Sequence, residues 1–165
     1  MENYIPTPGP TLNPRWTRRN RFISDLINQN STVLDLGCGS KDLLRYLKMP
    51  ANYFGIDYNQ PYADLSINFN NDFSLPKDNW DYIVCSGLLE YLINLDKFFN
   101  TIKNNASVYI LTFYKPKGKR GAFGNPNTLE SVDEFEMLVS KYFDIIQLTQ
   151  KMKQHNIYVC KDIKC

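Results

Sequence analysis

The chain has one histidine, no CxxC pair among its four cysteines, and a net charge of only +2 from 19 basic and 17 acidic residues in 165. Each shortage closes off a class of function. His155 and cysteines 38, 85, 160 and 165 do not supply ligands at metal-binding spacing, so no metal is expected. His155 itself reads as a partly exposed residue beside a turn rather than as a ligand or base. Cysteines without a pairing pattern read as thiols in a reducing compartment. Near-balanced charge does not call for nucleic acid or a membrane surface as partner. No apolar run approaches the ~20 residues of a membrane span. The opening MENYIPTPGPTLNPRW lacks the apolar centre of a secretory signal, so the expected location is the cytoplasm.

What remains is a chain of ordinary composition, long enough to bury one core. The reading is a single domain over residues 1–165, with 1–28 as an N-terminal arm and basic helix and 30–162 as the core sheet. Four of the nine prolines fall in the first 14 residues and make the start extended. The spacing of Phe22, Ile23, Leu26 and Ile27 predicts a helix over residues 15 to 28. STVLDLG is a short buried strand and KDLLRYLK a helix stopped by Pro50. NYFGIDYN is a second strand and SINFN a third. WDYIVCSGLL is a strongly apolar fourth, LDKFFNTIKN a helix and ASVYILTFYK the fifth strand. SVDEFEMLVSKYF opens on a capping box, Ser131 with Glu134. YFDIIQLTQ and NIYVCKDI form a closing hairpin. Strands alternating with helices predict an α/β doubly wound sheet, mostly parallel with an antiparallel last strand.

The stretch VLDLGCGSK sets two glycines in the turn after the first strand. A dinucleotide loop needs a third glycine where this chain has Asp42. Asp35 ends the first strand two residues before Gly37, and Asp57 ends the second strand 20 residues after it. From that second position an acid grips a ribose diol. A carboxylate this close to the loop suits an adenosine bearing a positive end better than one bearing a pyrophosphate.

VLDLGCGSKDLL followed by YFGIDYN resembles the class I S-adenosylmethionine-dependent methyltransferases, in the style of the small type 11 group, over about residues 30 to 160. WDYIVCSGLLEYL is similar to that group's fourth-strand segment. The resemblance implies a Rossmann-like sheet and S-adenosylmethionine as cofactor, with S-adenosylhomocysteine as product. It places Asp35, Gly37 and Gly39 at the methionyl part and Asp57 at the ribose hydroxyls. Tyr58 lies against the adenine and Asp72, or alternatively Asn70, faces its amino group. Cys38 and Ser86 complete the expected cofactor lining.

Three departures from the family pattern stand out. Ser40 replaces a common glycine, which a helix N-cap tolerates. Only about eight residues link Asp57 to SINFN, so the helix after the second strand is reduced. NQPY at 59–62 imitates the (Asn/Asp)-Pro-Pro-Tyr box of amino-group DNA methyltransferases, but that box follows the fourth strand and this one the second. A DNA substrate is therefore not expected.

Methyl transfer from a sulfonium is an in-line displacement in which the protein orients, excludes water and, where needed, removes a proton. Glu90, Tyr91 and Tyr114 are the candidate catalytic groups at the strand ends. Arg18 and Arg19 of the N-terminal helix, with Lys117, Lys119 and Arg120 of the loop after the fifth strand, are candidates for an anionic substrate. The resulting expectation is methyl transfer to an oxygen or nitrogen of a small phosphorylated or anionic acceptor. The alternatives are an RNA methyltransferase and a non-catalytic methyltransferase-like binding subunit.

Overall fold

The computed structural model describes residues 14–50, 52–58, 61–76, 79–114, 129, 131–149 and 155–163. Seven strands make one sheet: β1 (Thr32–Leu36), β2 (Asn52–Asp57), β3 (Leu65–Ser66), β4 (Trp80–Cys85), β5 (Ala106–Tyr114), β6 (Phe143–Thr149) and β7 (His155–Asp162). Their order is β3-β2-β1-β4-β5-β7-β6. The first five run parallel, while β7 is antiparallel to both β5 and β6. This is the doubly wound, mostly parallel sheet with an antiparallel end that the strand–helix alternation predicts. The order reverses between β1 and β4, so the crevice at the carboxyl ends of those strands is where a ligand belongs.

Among the described residues three helices cover the sheet: α1 (Pro14–Ser24), α2 (Leu95–Ile102) and α3 (Val132–Val139). Strand residues alternate between the faces. Ile23 and Ile27 pack with Val33, Tyr53, Tyr82, Val84, Ile110 and Ile157 on one face. On the other, Phe98, Phe99 and Phe135 pack with Leu34, Leu36, Ile83, Leu111 and Tyr158. Each such buried side chain stabilises the fold by about 1.5–3 kcal/mol. Ser131 caps α3 as expected, with the Glu134 N–H donating to Ser131 Oγ at 3.1 Å. Asn94 caps α2 in the same way through the Lys97 N–H.

Several elements are shorter than their sequence patterns predict. In place of a helix at KDLLRYLK there is a single 3₁₀ turn, Leu43–Arg45. Left-handed residues at Lys41 (φ 58°) and Met49 (φ 48°) bracket only seven residues, too few to sustain a helix. Ser40 is not its cap; Asp42 occupies that place, its carboxylate accepting from Asn20 Nδ2 and facing Arg45. Helix α1 stops at Ser24, whose hydroxyl donates to the Arg21 carbonyl and competes with the helical ladder. The third strand is only Leu65–Ser66 and overlaps just the first residue of SINFN. Among the described residues no helix lies between β2 and β3. The link is closed instead by Asp64, whose N–H donates to the Gly55 carbonyl and whose carboxylate accepts the Gly55 N–H, each at 2.8 Å.

Candidate functional site

The turn after β1 is built by three consecutive constraints. Gly37 has φ 78°, and a Cβ there would lie 2.9 Å from Leu88 Cβ, so only glycine lets the loop after β4 pack against it. The N–H groups of Gly37 and Cys38 both donate to the Ile56 carbonyl, at 2.8 and 3.1 Å. The Gly39 N–H then donates to Asp57 Oδ2 at 2.7 Å. The loop is thus sewn to the end of β2. Beneath it Lys41, almost wholly buried, pairs with Asp64.

Asp35 and Asp57 differ sharply. Asp35 is buried, its Oδ2 accepting from the Tyr53 hydroxyl at 2.6 Å while Oδ1 has no hydrogen-bond partner. Burial raises its pKa to about 7, against the opposing pull of the Tyr53 bond. Asp57 is half-buried; desolvation raises its pKa, and the N–H groups of Gly39 and Tyr58 hold it down. A Cβ on Gly39 would meet nothing within 4 Å, so the space above this turn is open. Cys38 is buried, and burial pushes its thiol far up, which excludes it as a nucleophile.

A second cluster stands beside the first at the carboxyl ends of β4 and β5. Arg19 reaches inward from α1. Its Nε donates to Ser86 Oγ at 2.8 Å and its Nη2 to the Ser86 carbonyl at 3.1 Å. Its Nη1 is 3.2 Å from His155 Nε2. Ser86 Oγ donates on to Asn20 Oδ1 at 2.9 Å. Glu90, in a 3₁₀ turn at Leu89–Tyr91, is buried with Oε1 3.5 Å from His155 Nε2. Desolvation lowers the Arg19 pKa, and the charge of Glu90 leads the opposing effects. Tyr114 lies opposite His155 in the strand register, and the two rings meet edge to face at 5.1 Å.

A sequence profile of methyltransferase domains matches residues 11–157. The chain belongs to this methyltransferase-domain family. Its fold agrees. A SAM dependent methyltransferase from Aquifex aeolicus superposes with a TM-score of 0.67 at 14% identity, covering 93% of this chain and 100% of that one. A methyltransferase solved in complex with the Haloferax volcanii Trm112 methyltransferase activator superposes with a TM-score of 0.65 at 15% identity, over 94% of this chain and 100% of that one. In Methanocaldococcus jannaschii the uncharacterized protein MJ0906 is 28% identical over 96 residues, 48% of this chain and 26% of that protein. The chain therefore spans about a quarter of the length of the curated relative it matches.

Family and fold make this a class I methyltransferase domain with S-adenosylmethionine as its cofactor. The residues present fit that cofactor. Asp35 offers an unpartnered buried oxygen for a cation, Gly39 an open cradle, and Asp57 a carboxylate at the end of β2 for a ribose diol. When bound, the cofactor supplies an activated methyl group.

The structure distributes the other expected residues unevenly. Tyr58 is exposed next to Asp57. The exposed carboxylate of Asp72 pairs with Lys97 of α2, which holds it below the usual carboxylate range. Asn70 is also engaged, donating to the Tyr91 carbonyl at 3.2 Å and accepting from the Ile93 N–H at 2.8 Å. Ser86, expected to line the cofactor, is taken up by Arg19 and Asn20. Arg18 faces solvent, whereas Arg19 is buried and internally bonded, so the pair does not act as one basic patch. Tyr91 is half-exposed. Lys117, Lys119 and Arg120 lie outside the described residues, as do positions 59 and 60 of the NQPY box, whose Pro61 and Tyr62 follow β2.

His155 is the residue that sequence reasoning passed over. The available signal was the antiparallel hairpin, which returns the start of β7 to the carboxyl end of β5. Among the described residues no group of three or more His, Cys, Asp or Glu could hold a metal ion. Nor is any described helix long and apolar enough to cross a membrane.

Proposed function

We propose that this protein transfers the methyl group of S-adenosylmethionine to an oxygen or nitrogen of a small acceptor carrying a phosphate or another anion. The observation that carries the cofactor half is the tie between Gly39 and Asp57 beneath an open space, with the bare Oδ1 of Asp35 alongside. Asp35 holds the cationic end and Asp57 the ribose. The loop after β4, wedged against Gly37 through Leu88, sets the border of the acceptor side.

The anionic half rests on α1. Arg15 and Arg18 are exposed, one helical turn apart, just before the inward-facing Arg19. In this reading an acceptor phosphate meets them on its way to the cluster of Ser86, Glu90 and His155. In this reading the basic residues Lys117, Lys119 and Arg120 supply the opposing wall.

Calorimetric titration with S-adenosylmethionine and S-adenosylhomocysteine, with Asp57→Ala alongside, tests the cofactor half. Micromolar binding lost in the variant is the expected result, and absence of binding to the intact protein would refute it. A screen of phosphorylated metabolites, repeated with Lys117, Lys119 and Arg120 all replaced by alanine, tests the acceptor. The variant should show a raised KM with cofactor affinity unchanged. Equal kinetics would remove the anionic acceptor.

A further inference from the structure

Among the described residues, two buried carboxylate oxygens near the strand ends lack a hydrogen-bond partner: Oδ1 of Asp35 and Oε2 of Glu90. The first belongs to the cofactor. The second has no use in the cofactor site, yet Leu88, two residues before Glu90, touches the cofactor loop at Gly37.

We infer that Glu90 Oε2 is the docking point for the reacting atom of the acceptor, and that this atom carries a proton: an alcohol, phenol or amine. The inference rests on the methyltransferase reading and narrows its acceptor.

The surrounding bonds support it. Arginine only donates, so the 3.2 Å contact from Arg19 Nη1 requires a lone pair on His155 Nε2 and puts the ring proton on Nδ1. In that tautomer the histidine has no proton to give Glu90 across their 3.5 Å contact. Glu90 is balanced by the charge of Arg19 but receives no hydrogen bond at Oε2. Arg19 cannot turn away to an acceptor anion, because Ser86 fixes two of its nitrogens and Gly87 closes on the group. A Cβ at Gly87 would come within 2.5 Å of Nη2. What Oε2 lacks is a donor, and a buried carboxylate is satisfied by an incoming O–H or N–H.

The chemistry then balances. Glu90 Oε2 takes the acceptor proton as the acceptor's electron pair closes on the methyl carbon, and sulfur keeps the pair of the bond it loses. The products are an ether or an N-methylamine. Carboxylate or phosphate oxygens are excluded as the methylated atom, because they would bring a second anion against Glu90 with no proton between them. Any anionic group of the acceptor lies at the other end, toward Arg18.

The test uses the full chain saturated with S-adenosylhomocysteine, with its one histidine as an uncrowded nuclear magnetic resonance reporter. Phenol and anisole are the probes, alike in shape but differing in the O–H. Phenol should move the His155 ring signals to saturation and anisole should not. Glu90→Gln should weaken phenol at least tenfold with S-adenosylhomocysteine affinity changed less than twofold; Glu90→Asp serves if the amide does not fold. Equal responses to phenol and anisole, no response to either, or undiminished phenol binding by Glu90→Gln would overturn the inference. Failure to bind S-adenosylhomocysteine would instead strike the methyltransferase reading, and this one with it.

Discussion

The backbone N–H of Gly39 and the Oδ2 of Asp57 are 2.7 Å apart, so one carboxylate closes the glycine turn and, in the proposed function, also meets the cofactor. Asp57→Ala removes both roles, and a charged hydrogen bond is worth about 1.5–3 kcal/mol. S-adenosylmethionine affinity should fall about 100-fold or more in calorimetry. Asp57→Asn keeps an acceptor for the Gly39 N–H and should lose roughly tenfold.

Asp35 should make both stability and cofactor binding depend on pH. Its folded pKa of about 7 lies above the ordinary 3.8, so the folded state holds the proton more tightly than the unfolded chain. Stability from this group is therefore complete below pH ~4 and lost as pH rises toward 7, by at most about 4 kcal/mol. Asp35→Asn should flatten that fall in denaturation curves at pH 5 and 8. A cofactor cation beside Oδ1 lowers the pKa again, so binding near pH 6 should release protons. Calorimetry in two buffers of different ionisation enthalpy would measure this, and Asp35→Asn should abolish it.

Lys41 is a buried cation with Asp64 as its partner. Lys41→Met strands that carboxylate, and breaking a buried pair costs about 3–5 kcal/mol. The unfolding temperature should drop by roughly 6–20 °C, at about 2–4 °C per kcal/mol for a chain of this size. Cofactor affinity should weaken too, since Lys41 underpins the turn.

The two loop glycines should separate stability from binding. Alanine at Gly37 meets Leu88 Cβ at 2.9 Å, whereas alanine at Gly39 meets nothing. Gly37→Ala should therefore destabilise the protein by about 2–3 kcal/mol or more in urea denaturation. Gly39→Ala should cost only about 1–2 kcal/mol. It should nonetheless weaken S-adenosylmethionine strongly, because its methyl enters the space the ligand needs.

The turn proposed to hold the cofactor was legible in the chain because its signals are local. Asp35, Gly37, Gly39 and Asp57 sit at strand ends and in one turn, where spacing alone sets position. The expected helix at KDLLRYLK failed because left-handed Lys41 and Met49 truncate it, and an apolar pattern does not reveal backbone sign. Asp72 pairs with Lys97 of α2 and Asp64 folds back onto Gly55, and neither contact has a local signature in the sequence. Glu90 is a catalytic candidate from its place after the fourth strand, but nothing local in the sequence shows that it is buried. Its burial depends on Arg19 and His155, which lie 136 residues apart in the chain, so no window of sequence contains the cluster.

That separation orders events in time. As the chain leaves the ribosome, the loop after β1, the end of β2 and Asp64 are all present early, and the cofactor cradle needs little beyond them. The rim around Glu90 cannot close until His155 has been made and β7 has inserted between β5 and β6. A nascent chain stalled after β5 would hold half a site. In the proposed function, the protein gains a place for its cofactor before it gains a complete place for its acceptor.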